Sequence, residues 1–291
     1  MDSSRLALGT VQFGIRYGIA NTAGKVDVAR AREIVTRARL LGVDTLDTAV
    51  AYGDSESVLG EIGVATWKVV SKLPPVPAGC TDIRSWVRQL TGESLERLGI
   101  ARLHGLLLHA PEQLKGDSGA DLYAALCSVR ETGLTTGVGV SVYGPDELDA
   151  LPVGFQFDIV QAPLNVIDRR LVNSGWLARL ADAGVEVHVR SVFLQGLLLM
   201  HRASRPAKFL RWQSRWDLWD RWLEDASLSP VQACLAFVGS QPEVERIVVG
   251  VESAAQLMEI AGALQTKHVD VPSGLECADR DLVDPSRWGL A

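Results

Sequence analysis

The sequence predicts an α/β fold, a single (β/α)8 TIM barrel over residues 1–291 with an insertion after the seventh strand and a C-terminal tail. Three observations predict it. Eight short apolar or β-branched runs are each followed by a longer stretch of helical period, no linker or low-complexity segment divides the series, and polar residues collect at the C-terminal ends of the runs.

The first pair is LALGT at 6–10 and VARAREIVTRARLLG at 28–42; the second is VDTLDTA at 43–49 and SESVLGEIG at 55–63. WKVVSKL (67–73) leads into residues 81–99, LHGLLLHA (103–110) into 121–133, and TGVGVSV (136–142) into 144–151. FDIVQAP (157–163) precedes 173–184, VEVHVRS (185–191) precedes 229–240 after a long insertion, and RIVVGVE (246–252) precedes 253–264. Gly42, Gly99, Gly133 and Gly184 follow helical stretches as stop signals, and Ser229-Pro230 opens the seventh helix. A doubly wound open sheet shares this alternation. The faces favour the barrel. In 136–142 the narrow set Gly137, Gly139 and Ser141 opposes valines, which suits a crowded interior and a helix-facing exterior. In 103–110 Leu103, Gly105, Leu107 and His109 share one face, and His104 points to the helix layer; Glu186, His188 and Arg190 point inward from 185–191.

With 291 residues, 47% hydrophobic, the chain buries a large core, and a formal charge of -6 gives no basic footprint for nucleic acid or an anionic membrane. A small-molecule partner and a monomer or weak homo-oligomer are expected. No apolar run reaches the length of a membrane span, and MDSSRLALGT does not have the order of a signal peptide. Cys80, Cys127, Cys234 and Cys277 lack metal-ligand spacing and suit a reduced, cytoplasmic protein with no metal site.

The strand ends carry Asp47, Lys72, His109, Ser141, Gln161 and Arg190, with Tyr52 five residues beyond Asp47. In a barrel these ends meet at one mouth. A free phenol, with a pKa of ~10, is a poor acid at neutrality; a nearby ammonium is expected to lower that value, and a carboxylate keeps the ammonium charged and aimed. A histidine then orients a carbonyl oxygen toward the phenol. Such a group protonates a carbonyl while another component supplies a hydride. Taken singly, Asp47 reads as a cap for strand-end amides, Tyr52 as a surface aromatic, Lys72 as a solvated charge and His109 as a satisfied polar group.

GTVQFG, DTLDTAVAYGDSE, VVSKL, LLLHAP, GVSVY and VQAPLN, in this order and each at a strand end, resemble the aldo-keto reductase superfamily over about residues 5 to 264. The resemblance implies a catalytic tetrad of Asp47, Tyr52, Lys72 and His109, with Tyr52 the general acid. It implies a nicotinamide cofactor, usually NADP(H), held across the barrel mouth without a Rossmann motif, and hydride transfer to an aldehyde or ketone. It further implies cofactor contacts from Ser141, Gln161, Arg190, Gly196, Gly250, Glu252, Ser253, Gln256 and Glu259.

Several positions depart from that pattern. Ser141-Val142 stands where many relatives have Ser-Asn, and Arg190 replaces the aromatic that commonly stacks under the nicotinamide, where a guanidinium plane also stacks on a ring. No Lys or Arg lies between Val248 and Leu264, where NADPH-preferring relatives hold the 2'-phosphate, which admits NAD(H) unless Arg202 or Lys208 substitutes. Ser141 and Gln161 alternatively fill the barrel, and Arg190 alternatively pairs with Glu186. Two other functions share the fold: a non-redox barrel enzyme (aldolase, epimerase or lyase), for instance with Lys72 as a Schiff-base nucleophile, and a nucleotide-sensing regulatory subunit with little turnover.

The insertion places Trp212, Trp216, Trp219 and Trp222 on one helical stripe. Its simplest reading is an amphipathic helix docked on the barrel; a lid, a substrate wall or a self-association patch are the alternatives. Residues 265–291 correspond to a tail that, in relatives, shapes the substrate pocket.

Overall fold

A computed structural model describes residues 3–21, 23–266 and 269–289. Eight parallel strands close into a barrel in sequence order, β8 pairing back onto β1. They are β1 (Leu6–Gly9), β2 (Thr45–Asp47), β3 (Lys68–Leu73), β4 (Leu103–Leu108), β5 (Thr135–Ser141), β6 (Ile159–Pro163), β7 (Glu186–Arg190) and β8 (Arg246–Gly250). Every strand lies within the run that predicted it or one residue beyond.

The helices form the outer layer. They are α1 (Val11–Gly14), α2 (Val28–Leu40), α3 (Ser55–Ile62), α4 (Ile83–Leu98), α5 (Gly119–Glu131), α6 (Pro145–Asp149), α7 (Arg170–Asn173), α8 (Trp176–Asp182), α9 (Gln213–Ala226), α10 (Pro230–Gly239) and α11 (Ala254–Ala263). Their starts and stops follow local chemistry. Asp27 accepts a hydrogen bond from Arg30 N at the start of α2, Ser229 and Gln232 form a capping box on α10, and Gly99 ends α4 in the left-handed conformation.

The apolar side chains divide as the alternation requires. Val138 and Val140 of β5 and Val187 and Val189 of β7 join the core between barrel and helices, while Val70, Leu107 and Ile159 make a separate cluster inside the barrel. That interior is tight. A Cβ on Gly139 would lie 1.9 Å from Ile159 O, and one on Gly105 2.5 Å from Ile159 Cδ1.

His104 departs from expectation. Its Nε2 lies 3.1 Å from Glu186 Oε2, which also meets His188 Nε2 at 3.3 Å. A contact between β4 and β7 crosses two intervening strands, so His104, second in its strand, turns under the barrel floor. There the two histidines hold the Glu186 carboxyl well below its ordinary pKa. Glu186 is therefore engaged away from Arg190.

Three of the four tryptophans of the expected stripe are buried in α9: Trp216, Trp219 and Trp222 are 1%, 0% and 8% exposed, and Trp216 Nε1 donates to Phe209 O. Trp212 lies just before the helix, half-buried, with its Nε1 donating to Asp279 Oδ2. Through this face α9 joins the main hydrophobic core. The tail packs against the residues just before α9, with Arg211 bridging Asp279 and Asp281 and Trp288 stacking edge-on against Phe209. No helix among the described residues is long and apolar enough to cross a membrane.

Candidate active site

The C-terminal end of β2 is built by three neighbouring chains. Thr10 N donates to Asp47 O, and the strand direction continues past Asp47 as Thr48 N donates to Val70 O and Val50 N to Lys72 O. The loop thus stays against β3 until it turns at Tyr52, whose carbonyl accepts from Ser55 N. Buried hydroxyls hold the turn: Ser55 Oγ donates within reach of Thr10 O and Thr10 Oγ1, both at 2.9 Å. Two glycines make the fit possible. A Cβ on Gly14 would lie 1.6 Å from Tyr52 O, and Gly53, at φ 57, has only 2.7 Å between such an atom and Gly14 O. The glycines of GTVQFG and DTLDTAVAYGDSE therefore close on one another and fix Tyr52 over the barrel mouth.

Four of the expected residues come together there. Lys72 Nζ donates to Asp47 Oδ2 at 2.7 Å and Thr48 O at 2.9 Å, and lies 3.5 Å from Tyr52 Oη. His109 faces the phenol, with ring centroids 5.7 Å apart. The Asp47–Lys72 pair is almost fully buried, 4% and 0% exposed, so each charge depends on the other.

Burial shapes the protonation states. It pushes Lys72 down, and Asp47 opposes that shift. Burial, then the Lys72 and Arg190 cations, pushes His109 down to about 3, which leaves the imidazole neutral. Tyr52 moves opposite to the sequence-based expectation: burial, then the Asp47 carboxylate, pushes the phenol well above its ordinary value. Desolvation prevails because a buried phenolate would lose its water, and the repulsion of Asp47 adds to it while Arg190 opposes it. The shift keeps the phenol protonated at neutrality and at the same time makes it a weaker acid than a free one.

Ser141 and Gln161 extend the cluster from behind. Ser141 Oγ donates to Gln161 Oε1 at 3.1 Å, and Gln161 Nε2 donates to Asp47 Oδ1 at 2.6 Å. Both residues are buried, so their amide and hydroxyl are partly committed to the tetrad.

A cleft of about 460 Å³ opens beside Tyr52 and Asp47 and runs past Arg190 and Gly196 to Gly250, Glu252, Gln256 and Glu259. Ser253 does not line it; its hydroxyl caps α11 by accepting from Gln256 N, while Gln256 Oε1 accepts from Glu252 N. Arg190 stacks over the Tyr143 ring at 4.6 Å from its centroid and donates to Val142 O at 3.0 Å. Arg202 pairs with Asp217 and Lys208 donates to Trp288 O, so neither supplies a cation to the cleft.

Three lining groups carried no sequence signal of their own. Gln12 sits within GTVQFG, after the one strand end to which no site residue was assigned; its Oε1 is buried without a partner, and it fills the space beside Gly250. Tyr17 and Gln195 come from loops far apart in sequence that meet at the cleft, where Ile19 N donates to Gln195 O and Gln195 Nε2 to Tyr17 Oη. The cleft thus brings a buried acceptor without a partner and a mixed polar and apolar lining to the edge of the Asp47, Tyr52, Lys72 and His109 cluster.

The aldo/keto reductase family model matches residues 5–271. A D-threo-aldose 1-dehydrogenase from a Pseudomonas species is 27% identical over 215 residues, covering 68% of this chain and 62% of that protein. An uncharacterised oxidoreductase of Mycobacterium tuberculosis is 36% identical over 148 residues, 48% of this chain and 42% of its own length. The match thus spans less than two thirds of either relative. Among solved structures, an aldo-keto reductase from Bacillus halodurans in its holo form aligns with a TM-score of 0.68 at 18% identity, over 91% of this chain and 88% of that one. A putative aldo-keto reductase from Pseudomonas aeruginosa aligns at 0.65 and 23%, over 89% of each. At such identities the structural likeness speaks for the fold.

Proposed function

The chain belongs to the aldo/keto reductase family, and from that premise we propose that it is a cytoplasmic carbonyl oxidoreductase in which Tyr52 protonates the oxygen of an aldehyde or ketone. The observation that carries this reading is the buried Asp47–Lys72 pair directed at a protonated Tyr52, beside a neutral His109, at one end of the cleft. A bound nicotinamide cofactor supplies the hydride. Residues Gln12, Arg190, Gly196, Gly250, Glu252, Gln256 and Glu259 line the space that would hold it.

The protein's part is acid catalysis and orientation. His109, neutral through the physiological range, donates a hydrogen bond to the substrate carbonyl without competing for the proton. Tyr52 gives its proton to that oxygen as negative charge develops there. The ammonium of Lys72 stabilises the phenolate left behind, a role that strengthens only as the proton departs. Asp47 keeps Lys72 charged despite complete burial. In the oxidative direction the same groups act in reverse, with the phenolate as base.

The far end of the cleft favours NAD(H) over NADP(H). Glu252 and Glu259 line it, and among the described residues its lining contains no cation besides Arg190 at the reacting end. A 2'-phosphate placed near two carboxylates would lose charge-assisted contacts worth roughly 1.5 to 3 kcal/mol each. Lys72 is poorly placed as a Schiff-base nucleophile, since its ammonium already meets Asp47, Thr48 O and Tyr52.

Titration with NADH and NADPH by tryptophan fluorescence, followed by a panel of aldoses, hydroxyketones and simple aldehydes, tests the proposal. Tighter NADH binding and nicotinamide oxidation linked to carbonyl loss are expected. Binding of neither nucleotide would overturn it.

A further inference from the structure

Arg190 is the cation that the tetrad does not neutralise. The Lys72 charge is matched by Asp47 at 2.7 Å. The guanidinium of Arg190 has no carboxylate within ion-pair distance among the described residues; its contacts are Val142 O at 3.0 Å, Ser191 Oγ at 3.2 Å and the face of Tyr143. Of the carboxylates that sense it, Asp168 is paired with Arg170 and Glu147 accepts from Tyr143 N, and neither lines the cleft. Glu186, four residues before it in β7, is held by His104 and His188. The reacting end of the cleft therefore carries an excess of positive charge.

That excess stands where the redox state of a nicotinamide changes its charge. Proton donor and hydride donor must converge on one carbonyl group, the proton on oxygen and the hydride on the adjoining carbon, so the reacting ring must come within a few ångströms of Tyr52. Arg190 lines the same stretch of cleft, and its charge reaches Tyr52, Lys72 and His109. The reduced ring is neutral and the oxidised ring is cationic. A fixed cation penalises the second and leaves the first nearly untouched.

Resting on the reading of the site as a nicotinamide-dependent oxidoreductase, we propose that Arg190 sets the site's redox preference, weakening the oxidised cofactor relative to the reduced one and so adapting the enzyme to carbonyl reduction. In that direction the carbonyl carbon gains the hydride with its two electrons, the oxygen gains the Tyr52 proton, and the nicotinamide is oxidised. The equilibrium between free reactants is unchanged. What shifts is the affinity ratio, with the reduced form retained before turnover and the oxidised form released after it.

The test is a binding measurement. The purified full chain is titrated with NADH and NAD+ by tryptophan fluorescence, as wild type, Arg190→Lys and Arg190→Gln, with each fold checked by thermal melting. Both substitutions lose the guanidinium plane and its stack on Tyr143, and only the second loses the charge. Wild type is expected to bind NADH roughly tenfold or more tighter than NAD+, Arg190→Lys to keep that ratio within about twofold, and Arg190→Gln to reduce it by roughly tenfold. An unchanged ratio in Arg190→Gln, or an equal change in both variants, overturns the proposal. So does a wild type that binds both forms equally, a result that needs no variant to fold. Failure of wild type to bind either form would instead remove the oxidoreductase reading on which the proposal rests.

Discussion

Gln161 Nε2 donates to Asp47 Oδ1 at 2.6 Å, a bond that joins β6 to β2 across the barrel mouth. Asp47 spends its other oxygen on Lys72, so Gln161 completes the carboxylate's coordination and fixes the direction in which the ammonium points. The resemblance implied a cofactor contact for Gln161, and the geometry adds a hydrogen bond to Asp47.

Replacement of Gln161 by Leu leaves a buried carboxylate oxygen unpaired, at a cost of about 1 to 3 kcal/mol in stability. Turnover is expected to fall about tenfold or more while the dissociation constant for the cofactor changes little. Measurement of both separates the roles, because a cofactor contact alone would weaken binding and spare turnover.

His109 makes the protein acid-sensitive. Its pKa is about 3 when folded against an ordinary 6.5, so between those values the unfolded chain binds a proton that the folded chain does not. Stability therefore falls as pH drops from about 6.5 toward 3, by up to about 1.4 kcal/mol per pH unit from this group. Glu186, depressed in the fold, contributes stability that is present above its unfolded pKa and lost on further acidification. Melting temperatures of wild type and His109→Gln across this range should diverge at neutral pH and converge toward acid, with the shallower slope in the variant; parallel slopes would contradict the assignment.

Trp216 anchors the inserted helix. Its truncation to Ala should cost about 3 to 5 kcal/mol, seen as a lowered thermal midpoint. Catalytic efficiency well below that midpoint should stay within about twofold of wild type, because none of Trp216, Trp219 or Trp222 lines the cleft. A loss of efficiency with an unchanged midpoint would make α9 a lid.

The strand ends were the most legible part of the sequence. Asp47, Lys72 and His109 are placed by strand period and order, which the barrel converts directly into proximity. The glycines flanking Tyr52 were visible as motifs, but their mutual closure depends on two segments some forty residues apart. Long-range effects were hidden for the same reason. The direction of the Tyr52 shift depends on its burial and then on the Asp47 carboxylate, the floor contact of His104 on a partner three strands away, and the use of Ser253 on local capping. Gln12 was hidden because its importance lies in having no partner, a property of packing and not of pattern.

The central claim is that Tyr52 delivers the proton, and the Tyr52→Phe variant tests it most directly. With a carbonyl substrate accepted by wild type, single-turnover decay of reduced-nicotinamide absorbance should slow by roughly 10²- to 10⁴-fold, while cofactor affinity stays within about twofold. A variant that binds cofactor normally and turns over at the wild-type rate would contradict the account.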